Sequence, residues 1–246
     1  MDRLIYVAMT GARESMKAQA VVSHNLANVS TTGYRAMQQS LLSAPIPGDG
    51  LPSRVNVVGG SASFDTSQGA LIDTGRDLDI AIQGEGWLAV QDENGEEAYT
   101  RAGNLRVNPQ GMLETASGHL VLGNGGPISL PPYQKLAVGD DGQISIVPQG
   151  QSPNTIAQLD RLKLVNPPAQ DMVPGASGLF RTISGDAPAP DPAVRVVSGK
   201  LENSNVNATQ ALVQMIEISR NYEMQVRAMN TADENARQAA QLMRLG

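Results

Sequence analysis

Small and apolar residues recur near the start of the chain at Leu4, Ala8, Gly11, Ser15, Ala18 and Val22, in alternating steps of four and three that line one face of a helix. The spacing predicts a helix from residue 2 to about residue 25. Its seam is narrow: Gly11, Ser15 and Ala18 bury little area against a sheet, but side chains this small let a second helix backbone come close. Asn25, Asn28, Ser30, Thr31, Thr32 and Gly33 then end the helix. Short amide and hydroxyl side chains compete for backbone hydrogen bonds, and Gly permits positive φ. Residues 36–75 lose the periodicity and carry Pro45, Pro47, Gly48, Gly50 and Pro52, so they read as an extended connector with short strands around 54–58 and 70–73.

From residue 77 to about 148 the pattern changes to short apolar runs cut by turns: LDIAIQG, GWLAVQDENGEEAYTR, LRVNPQGMLET, HLVLG and QKLAVGDDGQISIV. Asn94-Gly95, Gln110-Gly111 and Asp141-Gly142 supply the residues that tight hairpin turns demand, each with alternating or apolar strands on both sides. Between about 153 and 198 follow IAQLDRLKLV and GLFRTI, separated by the loops NPPAQ and GDAPAPDP. The middle of the chain therefore reads as one all-β domain.

The period changes again at Ser204, and from Ala208 the chain reads as one helix of about 35 residues, about 50 Å at 1.5 Å per residue. Leu212, Ser219, Val226, Asp233 and Ala240 share one heptad position; Met215, Tyr222, Met229, Ala236 and Met243 share the position three residues later. Asn207 or Thr209 caps its start, and Glu217 and Glu223 oppose Arg220 and Arg227 on the outer face. By itself this segment fits either a coiled coil or a long helix folded back on the β domain. The first 25 residues decide between them, because they supply a helix with a narrow seam of its own. Two helices still leave flanks open to water, so further helices come from other copies, with Ser219 and Asp233 fixing register and Met215, Met229 and Met243 repacking where surroundings differ. The fold class is α+β: terminal helices pairing as a coiled-coil-like bundle, and a central hairpin-rich all-β domain. The expected division is 1–35 for the first helix and its turn, 36–75 for the connector, 76–200 for the β domain and 201–246 for the C-terminal helix.

Composition narrows the function. A chain of 246 residues is long enough for a real core, and with aromatics at 3% that core is built from Val, Ile, Leu and Met. A net charge of -6 argues against nucleic acid, whose affinity comes from Lys and Arg on phosphates. No run reaches the 18 to 20 or so apolar residues that span a bilayer, and Met1-Asp2-Arg3 opens no cleavable signal sequence. Cysteine is absent, which removes disulfides, thiolate metal sites and cysteine nucleophiles.

Candidate chemistry is thin. His24 and His119 stand too far apart in pattern for a triad or a two-histidine metal site. GNGGP at 123–127 leads into a proline and a strand-like run instead of a helix, and so forms a hairpin corner and not a phosphate cradle. Asp73, Asp77 and Asp79 lack calcium-loop spacing, and Asp140-Asp141-Gly142 and Asp92-Glu93-Asn94-Gly95 are turns. Trp87 packs on the β core. No catalytic, cofactor or metal residue is expected.

The stretches NLANVSTTGYR (25–35), GRDLDIAIQGEGWLAVQ (75–91), AYTRAGNLRVNPQGMLETASGHLVLG (98–123) and LENSNVNATQALVQMIEISRNYE (201–223) resemble the axial proteins of the bacterial flagellum, the rod and hook class. The similarity covers nearly the whole chain, with the four separated motifs in the same order. The opening MDRLIYVAMTGAR and the modest length resemble proximal-rod members most and distal-rod members next. The resemblance implies a structural part, without enzymatic activity, whose terminal helices form the inner tube of a hollow drive shaft in the periplasm and whose β domain decorates the outside. It implies passage through the flagellar export apparatus without a cleaved signal. The implied partners are proximal and distal rod subunits, the export apparatus during secretion, and other copies of the chain, with neither nucleic acid nor a membrane span. By position it assigns subunit contacts to Asn25, Leu26, Ala27, Asn28, Thr32, Gly33 and Tyr34 and to Ser204, Asn205, Val206 and Asn207, and the helical seam adds Leu212, Met215, Ser219, Tyr222, Val226 and Met229. Ser23-His24 before the first motif and Ser219 before Arg220 depart from the family pattern.

Overall fold

The computed structural model describes residues 2–45, 55–151, 155–175 and 178–242. The expected turn residues Pro47, Gly48, Gly50 and Pro52, the strand start at Arg54 and the last seam position, Met243, lie outside the described residues, as does the side chain of Leu4. The chain forms two compact units. One comprises Met1–Ala27, Met37–Ser63 and Asn207–Gly246; the other comprises Asn28–Ala36 and Phe64–Val206. Residues 28–35, grouped with the first helix in the sequence reading, thus fall with Ala36 in the second unit.

The first unit pairs the terminal helices, α1 (Asp2–Ala27) and α2 (Ala208–Leu242), which pack along one another. Ala8, Ala12 and Val22 of α1 are buried, and Gly11, Ser15 and Ala18 are half-buried beside them. Close approach is visible at Gly11, where an added Cβ would stand 3.0 Å from the Gln225 side chain. On α2 the shielded positions are Ala211, Met215, Ile218, Tyr222, Gln225, Met229, Ala232, Ala236 and Ala239, again in steps of four and three. One heptad line therefore runs one residue earlier than the pattern predicts. Leu212 is 49% exposed, Asp233 and Ala240 are exposed, and Ser219 and Val226 are half-buried on the flank. The physical reason is size: small residues on α1 demand a thin opposing seam, and the alanines at 211, 232 and 239 fill it where a leucine line would hold the axes apart.

Two strands complete this unit, β1 (Met37–Pro45) and β2 (Val55–Phe64), paired in a two-stranded sheet. The sequence reading missed β1, whose polar residues Gln38, Gln39, Ser40 and Ser43 hide any alternation, and it cut β2 short. Glu14 is buried here. Its carboxylate accepts from Lys17 Nζ at 3.0 Å, Arg13 Nε at 3.2 Å and Gln39 Nε2 at 3.2 Å, and a Cβ on Gly59 would come within 2.6 Å of it. The bond from Lys17, with Arg13 beside it, holds this carboxyl below the usual range against the opposing effect of burial.

The second unit is all β apart from a short 3-10 turn at Ala169–Asp171. Its strands are, in chain order, β3 (Leu71–Asp73), β4 (Ile80–Gln83), β5 (Trp87–Gln91), β6 (Glu97–Thr100), β7 (Leu105–Val107), β8 (Leu113–Thr115), β9 (Leu120–Gly123) and β10 (Gly126–Pro127). After these come β11 (Tyr133–Val138), β12 (Gln143–Pro148), β13 (Ala157–Arg161), β14 (Leu164–Val165), β15 (Met172–Pro174), β16 (Phe180–Thr182), β17 (Arg195–Ser198) and β18 (Lys200–Glu202). The main sheet runs β15-β16-β6-β5-β9-β8-β7, with β10 beside β9 and β14 beside β5; β11-β12-β13 form a second sheet, and β17 and β18 return to pair with β4 and β3.

The turns behave as their residues dictate. Asp92 Oδ1 accepts from the amides of Asn94 and Glu96, both at 2.9 Å, and Asn108 Oδ1 accepts from Gln110 and Met112 at 3.0 and 2.9 Å. A short acceptor side chain thus folds each hairpin loop onto itself. Inside, Ile80, Leu88, Val90, Leu105, Val121 and Ile144 belong to an aliphatic core. A smaller cluster gathers Phe64, Trp87 and Phe180, whose ring centroids lie 4.5 to 5.7 Å apart.

Glu202 joins the separate parts of this unit. One carboxylate oxygen meets Arg35 Nη2 at 2.9 Å and the amide of Gly69 at 3.0 Å; the other meets Arg101 Nη1 at 3.0 Å. Its carbonyl accepts from Gly33 N at 2.7 Å. All three charged side chains are buried, with Arg35 and Glu202 at 1% exposure. Arg101 Nη2 also donates to Gly84 O at 2.5 Å, Arg35 Nη1 donates to Ser67 O, and the Arg101 guanidinium lies 5.7 Å from the Trp87 ring centroid. Burial pushes both guanidinium pKa values down, and the Glu202 carboxylate opposes it.

Removing one partner of a buried ion pair strands the other's charge. Glu202→Gln, which leaves two guanidinium groups facing a neutral amide, is therefore expected to cost the second unit about 3–5 kcal/mol, read as a fall in the denaturant midpoint of the full-length chain. A second expectation concerns alkali. Burial raises the Tyr34 phenol to about 12, and burial, followed by the Glu97 carboxylate that its hydroxyl touches at 3.0 Å, raises Tyr99 further. The fold favours the neutral phenols, so their contribution is intact below pH 10 and is lost as pH rises through 12. Unfolding followed across that window should be shallower in a Tyr34→Phe variant.

Candidate assembly surfaces

The exit from α1 is built by short side chains, each with a traceable bond. Asn25 Nδ2 donates to Met37 O and Asn25 Oδ1 accepts from Met37 N, both at 2.8 Å, so one side chain stitches the last turn of α1 to the first residue of β1. Leu26 is half-buried and Ala27 is exposed. Asn28 O accepts from Thr31 N at 3.1 Å, its side chain takes the Thr31 hydroxyl at 3.1 Å, and Thr32 is half-buried beside them. Gly33 then adopts φ 68, and a Cβ there would stand 2.5 Å from Ala102 N with the Arg101 carbonyl nearer still. Both the torsion and the space exclude a side chain. Tyr34 is buried, and its carbonyl accepts from Asn205 N at 3.3 Å.

The second motif answers the first. Asn205 Oδ1 accepts from Ala36 N at 2.7 Å, and Asn205 Nδ2 donates to Asp65 O and Ser67 O at 3.1 and 3.0 Å. Ser204 Oγ accepts from Val206 N at 3.2 Å. Asn207 is the N-cap of α2, its Oδ1 accepting from Gln210 N at 3.1 Å, and Val206 is half-buried. Within this chain, then, Asn25, Asn28, Asn205 and Asn207 direct their amides to internal partners. The sequence reading passed over the three charges that hold the motifs in place, Arg35, Arg101 and Glu202. A signal existed, because each sits inside a quoted motif, as the last residue of NLANVSTTGYR, the Arg of AYTRAGN and the Glu of LENSN.

Among the described residues, most exposed large apolar side chains fall on the helical unit. On α1, Tyr6, Met9 and Met16 are 61, 50 and 58% exposed and recur three and seven residues apart, which puts them on one stripe. On α2, Leu212, Val213, Ile216 and Met224 are exposed to a similar degree. Met215, Tyr222 and Met229 point the other way, half-buried in the seam. On the two strands Leu41, Leu42, Val55 and Val58 are exposed as well. Large apolar side chains left exposed on both helices mark contact surfaces.

Nothing comparable gathers reactive groups. His24 lies in the last turn of α1 in one unit; His119 is buried in the other, where its amide donates to Thr115 Oγ1 at 3.2 Å. Among the described residues there is no group of three His, Asp or Glu side chains placed to hold a metal ion, and no helix long and apolar enough to cross a membrane. A cavity of about 310 Å³ is lined by Arg35, Thr66, Glu85, Trp87, Arg101 and Asn166 among others, and its guanidinium groups are already committed to Glu202.

Comparison with known proteins reaches the same regions. The family model described as flagella basal body rod protein matches residues 5–35, that of the flagellar hook protein FlgE/F/G D1 domain matches 81–146, and that of the flagellar basal body rod FlgEFG protein C-terminal matches 197–242. The flagellar basal-body rod protein FlgF of Salmonella typhimurium is 41% identical over 99% of both chains, and that of Escherichia coli (strain K12) gives the same values. The flagellar basal-body rod protein FlgG of Bacillus subtilis is 30% identical over 99% of this chain and all of its own. With full-length coverage, all three family models in order and paired terminal helices around a β-rich middle, the chain belongs to the FlgF family of flagellar basal-body rod proteins.

Proposed function

We propose that this chain is a structural subunit of the proximal flagellar rod, which polymerises through α1 and α2 into a hollow shaft that transmits torque across the periplasm. The observation that carries the reading is the apolar stripe of the helical unit, which the chain's own fold leaves in water. Helix packing in the seam is already satisfied, so Leu212, Val213 and Ile216 serve contacts with neighbouring subunits, and Ser219 and Val226 on the flank adjoin them. The two motifs act differently: Asn25, Asn28, Thr32, Gly33, Ser204, Asn205 and Asn207 make a compact, hydrogen-bonded exit that lets helices stack closely. Leu26 and Ala27 end α1, Tyr34 and Val206 pack within the β-rich unit, and Met215, Tyr222 and Met229 line the seam that presents the outer stripe. Torque follows from geometry, since close-packed coaxial helices resist twisting. The 41% identity to FlgF of Salmonella typhimurium and Escherichia coli, against 30% to FlgG of Bacillus subtilis, supports the proximal reading. The absence of cysteine leaves no disulfide to block passage of an unfolded chain through an export channel.

Replacing Leu212 and Ile216 together by Ser is expected to abolish association with other rod subunits, with about 1.5–3 kcal/mol lost for each apolar side chain no longer buried. The melting of the isolated chain should stay within about 0.5 kcal/mol of the parent, because both positions are already exposed in it. Co-sedimentation and chemical denaturation separate the two effects, and undiminished association in the double variant would defeat the proposal. Hydrogen exchange gives an independent check. In dilute solution the amides of 210–240 should exchange well before those of β5 and β9, because a helix with one thin seam is marginal without its neighbours.

A further inference from the structure

Sulfur in this chain is confined to methionine. Thioethers are then its softest targets for two-electron oxidants, and the single indole, Trp87, is buried. Exposure sorts the methionines sharply. Met9, Met16 and Met224 are 50, 58 and 57% exposed, whereas Met172 is 4% exposed among aromatic rings. Met37, Met112, Met215 and Met229 are half-buried. Among the described residues the three exposed thioethers all stand on the helical unit: Met9 and Met16 share the stripe of Tyr6, and Met224 follows Ile216 by eight residues along α2.

We propose that Met9, Met16 and Met224 are sites of sulfoxide formation through which peroxide-class oxidants disable the assembly face of the free subunit. The inference rests on the assembly reading above. In the reaction one peroxide oxygen is transferred to the sulfur lone pair: the S–O bond forms as the O–O bond breaks, the thioether is oxidised by two electrons, and the peroxide is reduced to water. The product sets a strong acceptor dipole where a flexible apolar side chain stood, and burying such a group against a neighbour's apolar surface leaves it without a donor. Docked subunits cover these sulfurs, so the modification acts on the unassembled pool. Methionine sulfoxide reductases reverse it.

The test uses the full-length protein treated with hydrogen peroxide, mapped by peptide mass spectrometry and followed by sedimentation with other rod subunits. Mass gains of about 16 Da should appear on Met9, Met16 and Met224 well before Met172, and association should weaken by about tenfold or more. Sulfoxide reductase should restore it. A Met9→Leu, Met16→Leu, Met224→Leu variant keeps an apolar face without its sulfurs, and whatever association it shows untreated should not fall further on peroxide treatment. Association that survives complete conversion of the three residues overturns the inference alone, as does equal peroxide sensitivity in the triple variant. Failure of the untreated parent to associate at all overturns the assembly reading and the inference with it.

Discussion

A single carboxylate, Glu202, holds two buried guanidinium groups that reach it from distant parts of the chain, Arg35 after the first helix and Arg101 directly after β6 of the main sheet. Coulomb attraction is strong inside the protein, but so is the penalty for taking three ions out of water. Further hydrogen bonds support the arrangement: the Gly69 amide joins the same carboxylate, and Gly84 O and Ser67 O take guanidinium N–H groups, while Arg35 Nε and Arg101 Nε stay buried without a hydrogen-bond partner among the described residues. From this follows the rest of the joint. With Glu202 fixed, its carbonyl receives Gly33 N, Gly33 packs on the Arg101–Ala102 backbone, and Asn205 bridges Ala36, Asp65 and Ser67. The segments that leave α1 and enter α2 are thus tied within one β-rich unit.

The two units are stabilised in different ways. The β-rich unit closes over an aliphatic core with hairpins whose turns satisfy themselves, and besides the ion cluster it buries Asp79, Thr100, Thr115 and His119. The helical unit has few fully buried side chains, chiefly the alanines at 8, 12, 211 and 232 with Val22, and it hides a charge, Glu14, beneath its two strands. A thin seam of alanines supplies little transfer free energy per residue. What it supplies is proximity, and larger side chains remain on the outside for other contacts.

Much of this was legible in the sequence, and the exceptions have identifiable causes. The hairpins announced themselves because Asn94-Gly95, Gln110-Gly111 and Asp141-Gly142 combine a turn-forming side chain with Gly. Both helices were readable from their periods, including the cap at Asn207. The α2 seam was displaced by one residue along one heptad line, since a pattern read by hydrophobicity prefers Leu212 to Ala211, while a close helix approach, visible where Gly11 meets the Gln225 side chain, selects the smaller side chain. Strand β1 carried no alternation to read. The ion cluster was invisible for a deeper reason: Arg35, Arg101 and Glu202 look like surface charges one at a time, and only long-range topology brings them together.

The placement of Trp87 has a practical consequence. It is the single tryptophan, it lies inside the β-rich unit beside Phe64 and Phe180, and the Arg101 guanidinium approaches its ring. Tryptophan fluorescence, excited selectively at about 295 nm where Tyr6 and Tyr222 of the helices do not absorb, therefore reports on that unit, whereas ellipticity near 222 nm is dominated by α1 and α2. One sample thus offers two optical channels, one per unit, and any difference between their melting profiles measures how far the halves unfold as separate thermodynamic bodies.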